Sequence, residues 1–176
     1  FHPYYTVKDI VGVVVFLMVF SAIVFFVPEF FGWFLERDNF VPANILQTPP
    51  EIVPLWYFTP FYSILRAVTY PLFGVDAKLW GVILMGLSIV VLFLVPWLDR
   101  SPAKSIRYRG WIFKTALGAF VVAFIVLGYL GTKRPGGLYT ALAQICTVIY
   151  FAFFLLMPWY SKLDKTKPVP ERVTTK

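Results

Sequence analysis

The spacing of charge along this 176-residue chain dictates the class of fold open to it. Between Asp9 and Glu29, Lys78 and Asp99, Lys114 and Lys133, and Arg134 and Lys162 lie uncharged stretches of 19, 20, 18 and 27 residues. A helix crosses the bilayer core with about 20 predominantly apolar residues, so each stretch is a candidate span. Only 14% of the chain is charged and 59% is hydrophobic, whereas soluble domains carry about 25% charge. What remains outside the four stretches is loops and tails, too little for a sizeable soluble domain. The expected fold is therefore an all-α membrane protein, a single membrane domain over 1–176. Its transmembrane helices are expected near 10–27, 79–98, 111–130 and 138–159, with a charged C-terminal tail over 162–176.

The basic residues orient these spans. With four crossings, the N-terminus, the loop from Asp99 to Gly110 and the C-terminal tail share one face. That face carries Lys8, Arg100, Lys104, Arg107, Arg109, Lys114, Lys162, Lys165, Lys167, Arg172 and Lys176, against Arg37, Arg66, Lys78, Lys133 and Arg134 on the other. The positive-inside rule then puts both termini in the cytoplasm. A net charge of +7 suggests nucleic acid in a soluble protein; here it is explained by sidedness, and membrane lipid is the expected partner. Trp33, Trp80, Trp97, Trp111 and Trp159 fall at the predicted span ends, as interfacial anchors do.

Cysteine and histidine limit the chemistry. Cys146 is alone, so the chain forms no internal disulfide, and His2 is the sole histidine, so the chain alone offers no imidazole pair to a haem and no histidine cluster to a metal. The sequence opens on FHPYY without an initiator Met or a cleavable signal, and reads as a processed chain or the C-terminal part of a longer one.

The stretch from Pro28 to Lys78 is long for a connection, and long connections are usually functional or disordered. Its aromatic, apolar composition excludes disorder, and Pro49, Pro50, Pro54, Pro60 and Pro71 set its local geometry. Between Glu51 and Arg66 there are 14 uncharged residues, too few to span. With Pro54 at the start of a helix, about 100° per residue places Tyr57, Phe58, Phe61 and Leu65 on one face and Tyr62 at its flank. Thr59, Ser63 and Arg66 then lie opposite. The pattern predicts a short amphipathic helix at the outer membrane surface, either a brace for the spans or an aromatic wall for a flat apolar ligand.

Three segments resemble a known family. TPPEIVPLWYFTPFYSILRA is similar to the quinol-site segment of cytochrome b from the respiratory cytochrome bc complex, TPxxIxPEWYFLPFYAILR. FHPYYTVKDIVG resembles the opening of that family's fifth transmembrane helix, and PWLDRSPAKSIRYRG the loop between its sixth and seventh. The matches follow the family's order from Phe1 to about Gly110, and the remaining spans fit its last two helices. The resemblance implies the C-terminal half of cytochrome b, helices five to eight of eight. A separate subunit of the plastid-type bf complex resembles the same half, but with three spans; a fourth favours the respiratory type.

What the resemblance implies for function is specific. A quinol-site loop over 45–73 would place Pro54, Leu55, Tyr57, Phe58 and Tyr62 around an outer oxidation site for ubiquinol, with Ile52 where the Rieske iron-sulfur protein docks. On the inner face Phe1, Lys8 and Asp9 would belong to a quinone-reduction site, Asp9 exchanging protons and Lys8 steadying the charge. The family's two b-type haems are held on earlier helices, outside this chain. The implied partners are the N-terminal half of cytochrome b, the Rieske protein and cytochrome c1, in a dimeric complex that couples electron transfer to proton translocation.

One departure stands out. Where the family pattern has the Glu of PEWY, to which acceptance of a quinol proton is assigned, this chain has Leu55, which holds no proton. Glu51, four residues upstream, or water near Tyr57 is the candidate substitute. The PLWY variant and the TYPLFGVDAK stretch point to a bacterial inner membrane. Two other readings compete: a transporter or channel subunit gated by the proline-rich segment, and a purely structural subunit. The predicted spans lack the ionisable residues usual in transporters.

Overall fold

The computed structural model describes residues 1–35, 37–47, 52–71 and 73–168, with the side chains of residues 37 and 38 excepted. The chain divides into two compact units, Phe1–Leu55 and Trp56–Lys176.

The first unit is built on α1 (Tyr4–Phe26), 23 residues with no buried side chain. A helix apolar on every side belongs in lipid or among other helices. It ends where Pro28 bars Val27 from helical geometry. Its start lies well before residue 10, so Lys8 and Asp9 sit inside the helix rather than ahead of it. Charge marks where the bilayer core begins; it does not stop a helix that polar residues can continue into the headgroups. Two single-turn 3-10 helices, Phe30–Gly32 and Arg37–Phe40, follow.

The second unit packs α3 (Ala77–Leu98), α4 (Trp111–Gly131) and α5 (Gly137–Leu155) together. With α1 they make four helices long and apolar enough to cross a membrane. The shortest has 19 residues, about 28 Å at 1.5 Å per residue, close to the ~30 Å hydrocarbon core. In lipid, burial of apolar surface no longer drives helices together, so association relies on close packing and hydrogen bonds. Both are present. Phe120 of α4 stacks on Phe153 of α5 at 4.6 Å between ring centres and meets Tyr150 at 5.2 Å. The Tyr150 hydroxyl, 1% exposed, donates to the Ser88 carbonyl of α3 at 2.8 Å.

α5 stops at Leu155, short of the expected end near residue 159, and α6 (Met157–Leu163) continues after a break. Pro158 in the first turn of α6 has no N–H to extend the α5 ladder, so the chain restarts a new helix there.

One end of this unit is closed by a polar lock. Arg109 is 6% exposed; its Nε donates to the Ala103 carbonyl at 3.0 Å, its Nη2 to the Asp99 carboxylate, and its guanidinium lies 4.1 Å from the Phe113 ring centre. Gly110, the N-cap of α4, has no side chain to satisfy the helix's first N–H groups, and Asp164 from beyond α6 does so instead. Its carboxylate accepts from Gly110 N–H at 2.7 Å and Ile112 N–H at 3.2 Å. A Cβ at Gly110 would collide with that carboxylate. Ser161 accepts the Arg100 N–H at 3.1 Å, and the Lys167 N–H reaches the Tyr108 carbonyl at 2.7 Å. The Tyr160 hydroxyl donates to the Phe153 carbonyl at 2.7 Å, and burial, with the Asp99 carboxylate adding and Arg109 opposing, pushes its pKa above the ordinary phenol value.

At the opposite end lies the short helix of the long connection, α2 (Thr59–Ala67). It packs on α3, α4 and α5.

Candidate functional site

α2 is anchored by an unusual choice of face. The residues it buries are Thr59, Pro60, Ser63, Ile64 and Ala67, so small or polar residues flank a single large apolar one, Ile64, on its inner side. Glycines make this possible. A Cβ on Gly131 of α4 would collide with the Thr59 carbonyl, and one on Gly81 of α3 with the Leu65 carbonyl; Gly128 leaves 3.5 Å to Pro60 Cγ. Backbone therefore lies on backbone, the packing that small residues allow within membranes.

The helix begins at Thr59, not at Pro54. A helix from Pro54 would carry Pro60 in its interior, missing a hydrogen bond and forcing Thr59 away from helical geometry. Pro60 occupies the first turn instead, where no N–H is needed. Tyr57 and Phe58 thus precede α2 in a turn, which the Thr59 hydroxyl closes by donating to the Trp56 carbonyl at 2.6 Å.

Polar contacts fix the helix from two sides. Arg66 Nη2 donates to the carbonyls of Leu130 at 2.9 Å and Gly131 at 3.2 Å, capping the C-terminal end of α4. Gln144 of α5 donates to the Ala67 carbonyl at 3.0 Å and to the Thr69 hydroxyl at 3.1 Å, capping α2 itself. Arg66 Nε is buried and finds no hydrogen-bond partner among the described residues.

Clamped in this way, α2 turns its aromatic side outward. Phe58 and Phe61 lie 5.9 Å apart, Phe61 meets Phe124 of α4 edge-on at 5.9 Å, and Tyr57 meets Trp56 edge-on at 5.7 Å. Tyr57 is 54% exposed and Phe58 40%. Tyr62 is half-buried, with the Arg66 guanidinium 4.5 Å from its ring centre. The surface combines flat apolar rings with phenol hydroxyls, a match for a planar apolar molecule with polar oxygens.

A larger concavity lies elsewhere. A groove of about 640 Å³ between α3 and α5 is lined by Leu84, Leu87, Leu94, Val148, Phe151 and Leu155 among others. Its one polar side chain, Thr147, already donates to the Ala143 carbonyl at 2.7 Å. It offers nothing to recognise a polar oxygen.

The remaining predicted site residues belong to the first unit. Ile52, Pro54 and Leu55 run without helical structure, and Glu51 lies outside the described residues. Lys8 and Asp9 are exposed on α1, one helical turn beyond Tyr5, whose ring is 5.6 Å from that of Phe1. The structure thus gathers Phe1, Lys8 and Asp9 at one end of one helix.

Comparison with known proteins decides the family. The model of the family described as Cytochrome b(C-terminal)/b6/petD matches residues 42–151. The chain belongs to the cytochrome b family. It is 60% identical over 175 residues to cytochrome b of Allochromatium vinosum, covering 99% of this chain and 42% of that one. With cytochrome b of Rhodospirillum rubrum it shares 45% over 176 residues, 99% of this chain and 41% of the relative. It is similar in structure to a chain of a hyperthermophilic respiratory Complex III, with TM-score 0.74 and 36% identity over 93% of this chain and 38% of that one. The chain therefore spans about two fifths of the length of these cytochrome b relatives. The transporter and structural-subunit readings give way to this membership.

The cytochrome b segment holds contacts that pattern reading missed. Gly81, Gly131, Gln144 and above all Arg66 fix α2. Arg66 carried a signal, being the sole charge between Glu51 and Asp76. The glycines carried none, since only packed backbones reveal why a side chain is excluded.

Proposed function

We propose that this chain forms part of cytochrome b in a quinol:cytochrome c oxidoreductase of a bacterial inner membrane, with both termini cytoplasmic. The observation that carries this reading is the clamped α2, which holds Phe61 and Tyr62 on a backbone with little freedom to move. Rigid placement of a few polar groups in an apolar surface is what a quinol site requires.

At the outer oxidation site Tyr57 and Phe58 supply ring surface, and the Tyr62 phenol donates a hydrogen bond to a quinol oxygen or to the docked partner. α2 lies at the outer membrane interface. The family motif assigns Pro54 and Leu55 to the same site and Ile52 to the docking of the Rieske protein. Oxidation of ubiquinol releases two protons and two electrons. Leu55 accepts no proton, so Glu51, or water near Tyr57, takes that role. On the inner side Asp9 exchanges protons with bound quinone, Lys8 balances the charge and Phe1 contributes an aromatic wall. Release outside and uptake inside build a proton gradient.

The b-type haems do not fit this chain's residues: His2 is the sole histidine, and no cluster of His, Cys, Asp and Glu suited to a metal occurs among the described residues. Their ligands belong to the N-terminal half of cytochrome b, which with the Rieske protein and cytochrome c1 completes a dimeric complex.

The test is quinol-driven cytochrome c reduction by membranes carrying the complete protein. Replacing Tyr62 with Phe is expected to lower kcat/KM about tenfold, the loss of roughly one hydrogen bond to substrate or partner. Asp9→Asn is expected to slow oxidation of the inner haem by quinone instead. Two variants with unaltered kinetics would remove both sites from the chain.

A further inference from the structure

We propose that Arg66 is a positioning residue for Tyr62, holding the phenol where it meets quinol; this rests on the oxidation-site reading above. Three observations converge on the guanidinium. Its Nη2 is tied to two carbonyls at the end of α4, Leu130 at 2.9 Å and Gly131 at 3.2 Å, so its plane has a fixed origin outside α2. Its Cζ lies 4.5 Å from the centre of the Tyr62 ring, within cation–π range. Its Nε, buried, finds no hydrogen-bond partner among the described residues, so the guanidinium is held through Nη2 and its packing on the Tyr62 ring.

Tyr62 and Arg66 are four residues apart on α2, so their side chains share one face. The phenol ring is held between its own backbone and a cation anchored on a different helix. That limits the rotation of the ring about χ1 and with it the reach of the hydroxyl. Lysine does not replace this arrangement: it keeps the charge but has neither the planar face to stack nor the fork to grip two carbonyls. Arg66 also clamps α2 to α4; the effect on oxidation proposed here is the part that passes through the placement of Tyr62.

A double-mutant cycle in the complete membrane complex tests this. Quinol-dependent cytochrome c reduction is measured for R66K, Y62F and R66K/Y62F, with b-type haem content as the measure of assembly. R66K is expected to assemble normally and to lower kcat/KM about tenfold in the parent, yet less than about twofold in Y62F, where no hydroxyl is left to position. Equal losses in both backgrounds, or no loss from R66K, overturn the inference while leaving the oxidation site intact. Loss of haem from R66K membranes also overturns it, because Arg66 is then a packing residue. A Y62F variant with parental kinetics fails the oxidation-site reading itself and removes this inference with it.

Discussion

Leu55 is one residue with a consequence for proton chemistry. On the proposed function, a leucine in place of the motif's carboxylate leaves the oxidation site without its usual base, so the pH dependence of turnover should report on another group. Restoring the acid with L55E is expected to add an ionisation to the pH profile: activity falls on acidification as the new carboxylate is protonated. Its apolar neighbours should raise that pKa above the ordinary glutamate value of about 4.3. If Glu51 is the present acceptor, E51Q slows quinol oxidation alone and is rescued by L55E; an E51Q profile identical to the parent's removes Glu51 from the path. Asp164 is a second decisive residue, buried and accepting two N–H groups of α4. Asp164→Ala should cost about 1–2 kcal/mol, read as a lower midpoint of thermal inactivation.

Among the elements, α2 is the one whose position depends most on absent side chains. Gly131→Ala puts a methyl group against the Thr59 carbonyl, so either α2 or α4 must shift. The cost is expected at about 1–3 kcal/mol, and quinol oxidation should fall while assembled haem content is largely kept. Normal kinetics in Gly131→Ala would mean that α2 tolerates displacement. α6 has a pH signature. The Tyr160 pKa is raised on folding, so its stabilising hydrogen bond is fully present below the unfolded value of about 10 and is lost as pH rises through the folded one. Y160F should therefore flatten the loss of thermal stability above pH 10. The amphipathic pattern of α2 was legible in the sequence, but its start was not, because Pro54 and Pro60 are equally good first-turn residues until one asks which leaves the helix uninterrupted. Nor was the buried face: periodicity separates aromatic from small residues, and hydrophobicity alone would have buried the aromatics.

At the scale of the whole chain, charge asymmetry and the polar lock make one statement about sidedness. The lock lies at the end of the second unit that carries Arg100, Lys104 and Arg107, and its two acids, Asp99 and Asp164, are occupied by Arg109 and the start of α4. On the orientation proposed here, the basic side chains beside them face the cytoplasm. In a Cys146→Ser background, a membrane-impermeant thiol reagent applied to intact cells should label Lys133→Cys and spare Lys104→Cys; the reverse pattern inverts the topology. The uncharged stretches alone determined that the chain has four helices long and apolar enough to cross a membrane, because a charge left unpaired in hydrocarbon is costly. Three segments in sequence order, the one around PLWY among them, pointed to the family. Only the tertiary structure decided how the proposed quinol surface is held. Its clamps are a glycine where another helix's backbone must pass, a carbonyl left over at a helix end, and an arginine that reaches it from 64 residues away. Such contacts have no period and no local signature, since each partner is chosen by distance in space and not by spacing along the chain.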